Sequence, residues 1–176
     1  MKRRLHLQKL ILCALFAALT CCATLVVQVP SPLSGFVNLG DCLVLSSAFL
    51  LGPVYGTAAA GIGSCLADVI GGYFVYAPAT LVIKALIALV AWLLYNLLRH
   101  PLPNVAARLV GSVAGEAIMV LGYFAYESTF LGYGWGAVTG MPGNLVQAAV
   151  GIAVSAVLVP LLQRIPYIAD MSAERK

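Results

Sequence analysis

The sequence predicts an all-α integral membrane protein of six transmembrane helices, a single domain over residues 1–176 with both termini in the cytoplasm. Two observations predict this fold class. Only ten basic and six acidic residues occur in 176, and 62% of the residues are hydrophobic; an ordinary soluble domain has about 25% charged and about 45–50% apolar residues. In addition, residues 10–40, 42–67 and 128–163 carry no charge, and each interval exceeds the ~20 residues that span a bilayer. The composition excludes most soluble enzymes, secreted disulfide scaffolds and DNA-binding domains.

Proline and glycine residues divide the apolar sequence into separate helices. The predicted spans cover residues 7–27, 38–52, 54–70, 78–98, 104–126 and 142–162. The first ends before Pro30, and we expect a retained helix there and not a cleaved signal peptide, because more membrane sequence follows. The second ends at Gly52 and the third at Gly71; both are short, so they must be tilted or partly interfacial. The fourth begins at Pro78, a residue type that is favourable at the first helical position, and the fifth and sixth are the remaining long apolar runs.

The basic residues predict how these spans are oriented. If the N-terminus is cytoplasmic, nine of the ten fall on the cytoplasmic side and none falls in an outer loop, which is a strong positive-inside signal. The net charge of +4 therefore reflects membrane topology and not a nucleic-acid partner. The nine residues are Lys2, Arg3, Arg4, Lys9, Arg99, Arg108, Arg164, Arg175 and Lys176.

The polar side chains inside the spans are concentrated towards one side of the membrane. At ~1.5 Å per helical residue, almost all of them lie between the outer surface and mid-depth, and the inner halves are nearly pure Leu, Ala, Val and Ile. This asymmetry predicts a cup that is open to the outside and sealed below, whereas a water-filled channel needs polar lining throughout. The predicted substrate-binding residues are Asn38, Asp41, Asp68, Lys84, Glu116, Tyr123, Glu127, Asn144 and Gln147.

Helical phase supports the cup on the fifth span. Glu116, Val120, Tyr123 and Glu127 follow an i, i+4, i+7, i+11 pattern, which places both carboxyls and the ring on one face. A carboxyl in mid-membrane without an obvious structural partner favours a functional role for Glu116. Asp41 has an alternative role at the start of its helix, where a carboxylate meets the helix dipole.

Structural roles are alternatives for the other polar residues. Asp68 could neutralise Lys84 in an ion pair, and Asn144 and Gln147 could form interhelical hydrogen bonds worth roughly 1 kcal/mol. Tyr123 lies one turn inside the membrane on the polar face, so a ligand role is favoured for it. The other aromatic residues at this level are expected mainly to form an interfacial belt; they are Phe36, Tyr73, Phe74, Tyr76, Tyr126, Phe130, Tyr133 and Trp135.

No cofactor and no metal site is predicted. The five cysteines include no C-x-x-C pair and no histidine at ligand spacing, so we expect them to pack as small hydrophobic residues between helices. The sequence contains no Gly-x-x-x-x-Gly-Lys-[Ser/Thr] phosphate loop, so ATP hydrolysis by this chain is not expected.

Small residues recur every four positions on the first helix, at Ala14, Ala18 and Cys22. A small-xxx-small row permits close approach of another helix. A second row runs from Gly52 through residues 56, 60 and 64, and a third joins Gly111 to residue 115. Some of these rows must serve internal packing, and the first is a candidate surface for docking a partner.

Four local sequences carry a resemblance that extends over essentially the whole chain. They are Gly35-Phe36-Val37-Asn38-Leu39-Gly40-Asp41, Asp68-Val69-Ile70-Gly71-Gly72-Tyr73, Gly115-Glu116 with Gly122-Tyr123, and Pro142-Gly143-Asn144-x-x-Gln147. With six spans, an Ala-x-x-x-Ala first helix and an outward cup, the chain resembles the S components of energy-coupling factor (ECF) vitamin transporters. The resemblance implies an ECF S-component-like bundle in a prokaryotic plasma membrane.

The resemblance also implies a function and its partners. S components bind a water-soluble vitamin or precursor outside the cell with high affinity. They then join a membrane T component and two cytoplasmic ATPases, and topple in the membrane to release the substrate inside. By position, Ala14 and Ala18 would face the T component, the connection over residues 28–37 would cover the pocket, and the fourth to sixth helices would line it.

The vitamin itself is left open by the sequence. The predicted cup offers both signs of charge and amides, which suits a small polar heterocycle; hydroxymethylpyrimidine and pyridoxine-type compounds are favoured, followed by riboflavin. One alternative is a stand-alone proton-coupled carrier that uses Glu116, although carriers usually show internal repeats and none is found. A less favoured alternative is an intramembrane enzyme with Glu116 or Asp68 as acid or base, for which no span supplies a histidine.

Overall fold

The computed structural model describes residues 2–30 and 36–168. The helices are α1 (Lys2–Val26), α2 (Asp41–Ile70), α3 (Ala77–Leu98), α4 (Asn104–Thr129) and α5 (Met141–Leu162), with a 3-10 helix at Gly134–Gly140 before α5. Two short strands, β1 (Gln28–Pro30) and β2 (Phe36–Asn38), pair antiparallel between α1 and α2. Within the described residues, five helices are long and apolar enough to cross a membrane.

The helix α2 contains two of the six predicted spans, because the chain reverses at Gly52. This residue has φ 84° and ψ −172°, a backbone conformation that glycine adopts readily, and Pro53 after it has no N–H to continue the ladder. A straight helix of 30 residues would be about 45 Å long, yet both of its ends reach Lys84: Asp41 pairs with that side chain, and Asp68 lines the same cavity.

Close backbone contacts hold the two halves of α2 together. A Cβ at Gly56 would lie 2.6 Å from the carbonyl oxygen of Ser47, so only glycine fits there. The Ser47 hydroxyl contacts the carbonyl oxygen of Gly56 at 3.1 Å across the reversal. The prediction of six helical segments is therefore confirmed, with the second and third segments forming a tight helical hairpin.

Successive helical segments run in opposite directions through the bundle, and this determines which side chains meet at each end. The ends of α1, α2 and α4 and the starts of α3 and α5 gather at one end, which we call the pocket end, with Thr24, Asp68 and Thr80 among its residues. The other end holds the reversal at Gly52 and a 3.4 Å hydrogen bond from Arg108 to Gln163. The start of α1 and the end of α5 therefore lie on the side away from the pocket.

Glycines make the remaining helix contacts close. A Cβ at Gly111 would meet the backbone of Ala91, and one at Gly115 would lie 2.9 Å from the carbonyl oxygen of Ile87. The row Gly111-x-x-x-Gly115 is thus an internal contact between α3 and α4. The core beneath the pocket is apolar and fully buried around Leu45, Ile87 and Met119 among others.

Two features near the cavity differ from the sequence prediction. The predicted second span begins at residue 38, but Asn38 lies in β2 and the helix begins at Asp41. The β1–β2 pair was not predicted at all, since strands of three residues are too short to show an alternating pattern. The residues between these strands, 31–35, lie outside the described part of the chain.

Candidate functional site

A cavity opens at the pocket end of the bundle, and all five α-helices contribute to its wall. Including its open mouth it encloses about 550 Å³, within the range of small-molecule sites. Polar and aromatic side chains dominate its wall. The lining residues are Thr24, Phe36, Asn38, Ser64, Asp68, Tyr73, Tyr76, Thr80, Lys84, Tyr123, Glu127, Asn144 and Gln147.

The structure gathers the nine predicted residues in one place, in two layers. Seven of them line the cavity: Asn38, Asp68, Lys84, Tyr123, Glu127, Asn144 and Gln147. Asp41 and Glu116 do not line it and are buried below, 0% and 2% exposed. Sequence spacing placed the nine between the outer surface and mid-depth, with Glu116 deepest, but it did not separate Asp41 from the residues of the cavity wall.

Lys84 on α3 pairs with Asp41 on α2. Both side chains are buried, and the ammonium also lies 3.3 Å from the sulfur of Met119. The ring of Tyr123 stands over the ammonium, with its centroid 5.6 Å away, a geometry that favours a cation–π interaction. The structure therefore assigns the ion pair to Asp41; the alternative that Asp68 forms it is wrong, because the first half of α2 supplies the nearer carboxylate.

Gln147 connects this ion pair to the strand β2. Its side-chain nitrogen donates to Asp41 Oδ2 at 2.6 Å, and its side-chain oxygen accepts from the backbone N–H of Asn38 at 2.7 Å. Both ends of the amide are thus used within the protein. A continuous chain of contacts runs from Lys84 through Asp41 and Gln147 to the strand at the cavity mouth.

We expect Gln147→Leu to release β2 and to lower the free energy of unfolding by about 2 kcal/mol, because it leaves the Asn38 N–H and one oxygen of Asp41 without a partner. Amide hydrogen exchange of a peptide covering residues 36–40 should speed up, as measured by mass spectrometry. The variant Asn144→Ala, on the same helix, is the control. Equal exchange at Asn38 in both variants would show that Gln147 does not hold the strand.

The upper wall joins three helices through hydroxyl groups. The Tyr76 hydroxyl donates to Glu127 Oε1 at 3.1 Å, and the hydroxyls of Thr80 and Tyr123 lie 3.0 Å apart. Burial, and the Glu127 carboxyl next to it, raise the pKa of Tyr76, so this phenol keeps its proton and remains a donor. Asp68 lies within hydrogen-bonding reach of Thr80.

Six lining residues were not among the predicted binding residues. Phe36 and Tyr73 form a ring pair with centroids 4.6 Å apart, and Tyr76 packs near Tyr123 at 6.5 Å. The sequence placed these aromatic residues at the correct depth but favoured an interfacial belt, because sequence spacing does not show which way a ring outside a helix faces. The other three are Thr24, Ser64 and Thr80.

Small hydroxyl residues in apolar helices carry a weak signal, because many of them bond to their own helix. The Thr20 hydroxyl donates to the Phe16 carbonyl, and Ser46 donates to Cys42. In contrast, the hydroxyls of Thr24 and Ser64 are buried without a hydrogen-bond partner among the described residues. Only the structure separates these two groups.

Glu116 lies in the lower layer beside Asp41. A Cβ at Gly151 would be 3.0 Å from the Asp41 Cβ and 3.4 Å from Glu116 Oε1, so glycine lets α5 close over both acids. Both oxygens of Glu116 are buried and lack a hydrogen-bond partner among the described residues. Such a group is costly to bury, which agrees with the prediction of a functional role but does not show one.

The described residues contain no group of three or more histidine, cysteine, aspartate or glutamate side chains that could hold a metal ion. Their five cysteines are free thiols. Asp41 lies beside Lys84, whereas Asp68 and Glu127 line the cavity.

One face of α1 points away from the bundle. Ala14, Ala18 and Cys22 are exposed, whereas Ala17 is buried against Gly63 of α2. The row of small residues predicted as a partner surface is therefore not used for packing inside the protein.

A family model and two relatives match the chain over most of its length. The model described as ECF-type riboflavin transporter, S component, matches residues 4–164. The chain is 38% identical over 143 residues to an uncharacterized protein in the gap 3′ region of Pyrococcus woesei, covering 80% of this chain and 92% of that one. It is 30% identical over 162 residues to the thiamine precursor transporter HmpT of Lactococcus lactis, covering 90% of each.

Two solved structures share the fold. The S component of a bacterial ECF transporter superposes with a TM-score of 0.69 at 21% identity, over 91% of this chain and 96% of that one. The S component for biotin from an ECF-type ABC transporter gives a TM-score of 0.55 at 19% identity, over 90% and 94%. These likenesses support the fold of the bundle.

Proposed function

Because the chain belongs to the family of S components of ECF-type riboflavin transporters, we propose that it binds a small water-soluble vitamin precursor in the cavity and delivers it inward with ECF partners. S components are substrate-binding transporter subunits and not enzymes, so the alternative of an intramembrane enzyme is discarded. The favoured ligand is of the hydroxymethylpyrimidine or pyridoxine type, with riboflavin next.

The lining of the cavity favours a flat ligand that forms hydrogen bonds. Aromatic rings of Phe36, Tyr73 and Tyr76 stand at its wall, and the polar groups between them are carboxyls, hydroxyls and amides. Rings offer stacking surface, and convergent polar groups fix orientation. The similarity to the thiamine precursor transporter of Lactococcus lactis, over 90% of both chains, favours a pyrimidine over the other candidates.

The arrangement of charge supports an outward-facing cavity. The helix ends away from the cavity carry the basic residues Lys9, Arg99, Arg108 and Arg164, while the turns at the pocket end contain no lysine or arginine. By the positive-inside rule the basic end is cytoplasmic. We therefore propose that the cavity loads from outside and that both termini are cytoplasmic.

We further propose that a membrane T component docks on the exposed face of α1 and that two cytoplasmic ATPases drive delivery. The outward row at Ala14 and Ala18 offers a shallow surface on which another helix can approach closely. This face is separate from the cavity, so a partner can bind it without displacing the ligand.

The rival function is a stand-alone proton-coupled carrier, which is favoured by the buried Glu116 carboxyl, since it has no hydrogen-bond partner in the part of the chain that the structure describes. Reconstitution in proteoliposomes distinguishes the two. The proposal predicts that uptake of radiolabelled hydroxymethylpyrimidine requires the T component, both ATPases and ATP. Uptake by the chain alone, driven by an imposed proton gradient, would contradict the proposal and support the carrier.

A further inference from the structure

The charged groups around the cavity are strongly unbalanced. Four carboxyls, those of Asp41, Asp68, Glu116 and Glu127, accompany one ammonium, that of Lys84. Asp41 already holds the ammonium, and the Tyr123 ring covers it. Among the described residues, Lys84 is the one cation on the cavity wall, and its charge is already paired with Asp41; the predicted cup with both signs of charge therefore carries an excess of acidic groups.

Two of these carboxyls line the cavity and each retains an unused oxygen. Asp68 and Glu127 are each 5% exposed, and Asp68 Oδ2 and Glu127 Oε2 have no hydrogen-bond partner among the described residues. The neighbouring hydroxyls of Thr24 and Ser64 are also unpartnered. Buried polar atoms in native proteins normally find partners, and a ligand in the cavity that these four residues line can supply them.

We infer that Asp68 and Glu127 determine specificity by accepting hydrogen bonds from amino, ring N–H or hydroxyl groups of the ligand, and by rejecting ligands that carry a phosphate or a carboxylate. This inference rests on the proposed function and names the chemical class of its ligand. An anionic group beside two carboxyls without a compensating cation costs several kcal/mol, whereas a donor-bearing neutral or cationic ring satisfies them.

Isothermal titration calorimetry of the full chain in lipid nanodiscs tests this with hydroxymethylpyrimidine and its phosphate monoester. The phosphate ester should bind about 100-fold more weakly than the alcohol. In the variant Asp68→Asn with Glu127→Gln, affinity for the alcohol should fall by about tenfold or more. The ratio between the affinities for the alcohol and the ester, here called the gap, should also become smaller. The shape of the cavity is nearly unchanged in this variant, so a narrower gap reports charge.

Glu174→Gln is the control, because it removes one carboxylate close to the C-terminus, which the proposed topology places in the cytoplasm; it should change neither the affinity for the alcohol nor the ratio of the two affinities. The inference is overturned if the ester binds as well as the alcohol, or if the gap is the same in the double variant, which would mean that the phosphate is excluded by size. A chain that binds pyridoxine or riboflavin without charge selectivity would refute the inference alone. Binding of none of these compounds would refute the proposed function.

Discussion

Replacement of Lys84 by methionine should lower the free energy of unfolding by about 3–5 kcal/mol, because it leaves the buried Asp41 carboxylate without its cation. Asp41 is 0% exposed, and among the described residues its other side-chain hydrogen-bond partner is the Gln147 amide. Methionine keeps most of the volume of lysine, so the loss reports charge and not a cavity. Equilibrium unfolding in detergent micelles, followed by circular dichroism, measures the change.

A second variant separates the charge effect from packing. Asp41→Asn combined with Lys84→Met removes both charges, and it should recover most of the lost stability, since replacing both members of a buried pair is often close to neutral. Lys9→Met removes a cation at the opposite end and should change stability by less than about 0.5 kcal/mol. If the double variant is as unstable as Lys84→Met alone, the ion pair does not account for the effect.

The second large effect concerns transport. Ala14→Leu with Ala18→Leu should abolish ATP-driven uptake while leaving ligand affinity unchanged, because two leucines fill the shallow outward face of α1 and keep a partner helix at a distance. Neither alanine lines the cavity. Co-purification with the T component and vitamin uptake in proteoliposomes measure assembly and transport, and calorimetry measures affinity.

The matched control places the same change on another exposed face. Ala117→Leu with Ala125→Leu alters two exposed alanines of α4 and should leave both assembly and uptake intact. Normal uptake in the α1 variant would show that the partner docks elsewhere. A loss of ligand affinity in that variant would show instead that the substitutions disturb the bundle.

The helix positions could be predicted closely, because apolar length and proline and glycine punctuation are local properties of the chain. The reversal at Gly52 was placed at the correct residue for this reason. The strands β1 and β2 could not be predicted, since their pairing joins two three-residue segments that carry no periodic pattern. Asn38 was accordingly assigned to a helix, and it lies in β2.

The site could be predicted in its composition but not in its connections. Depth along each helix placed Asp41, Asp68 and Lys84 in the outer half of the membrane, yet which carboxylate pairs with the lysine depends on how the two halves of α2 approach α3. Because Lys84 pairs with Asp41, Asp68 and Glu127 are left as the carboxyls that line the cavity. The two hydrogen bonds of the Gln147 amide likewise connect α5 to α2 and to β2. The sequence pattern of a single helix does not predict contacts between separate elements.

Calorimetric titration of the purified chain in nanodiscs with hydroxymethylpyrimidine, pyridoxine and riboflavin tests the central claim most directly. We expect saturable binding of at least one of these compounds to the chain alone, without its partners or ATP. We also expect this binding to weaken by about tenfold or more when Asp68→Asn and Glu127→Gln are introduced together. Saturable binding that is unchanged in this variant, or no binding of any of the three, would contradict the claim that this cavity is the vitamin site.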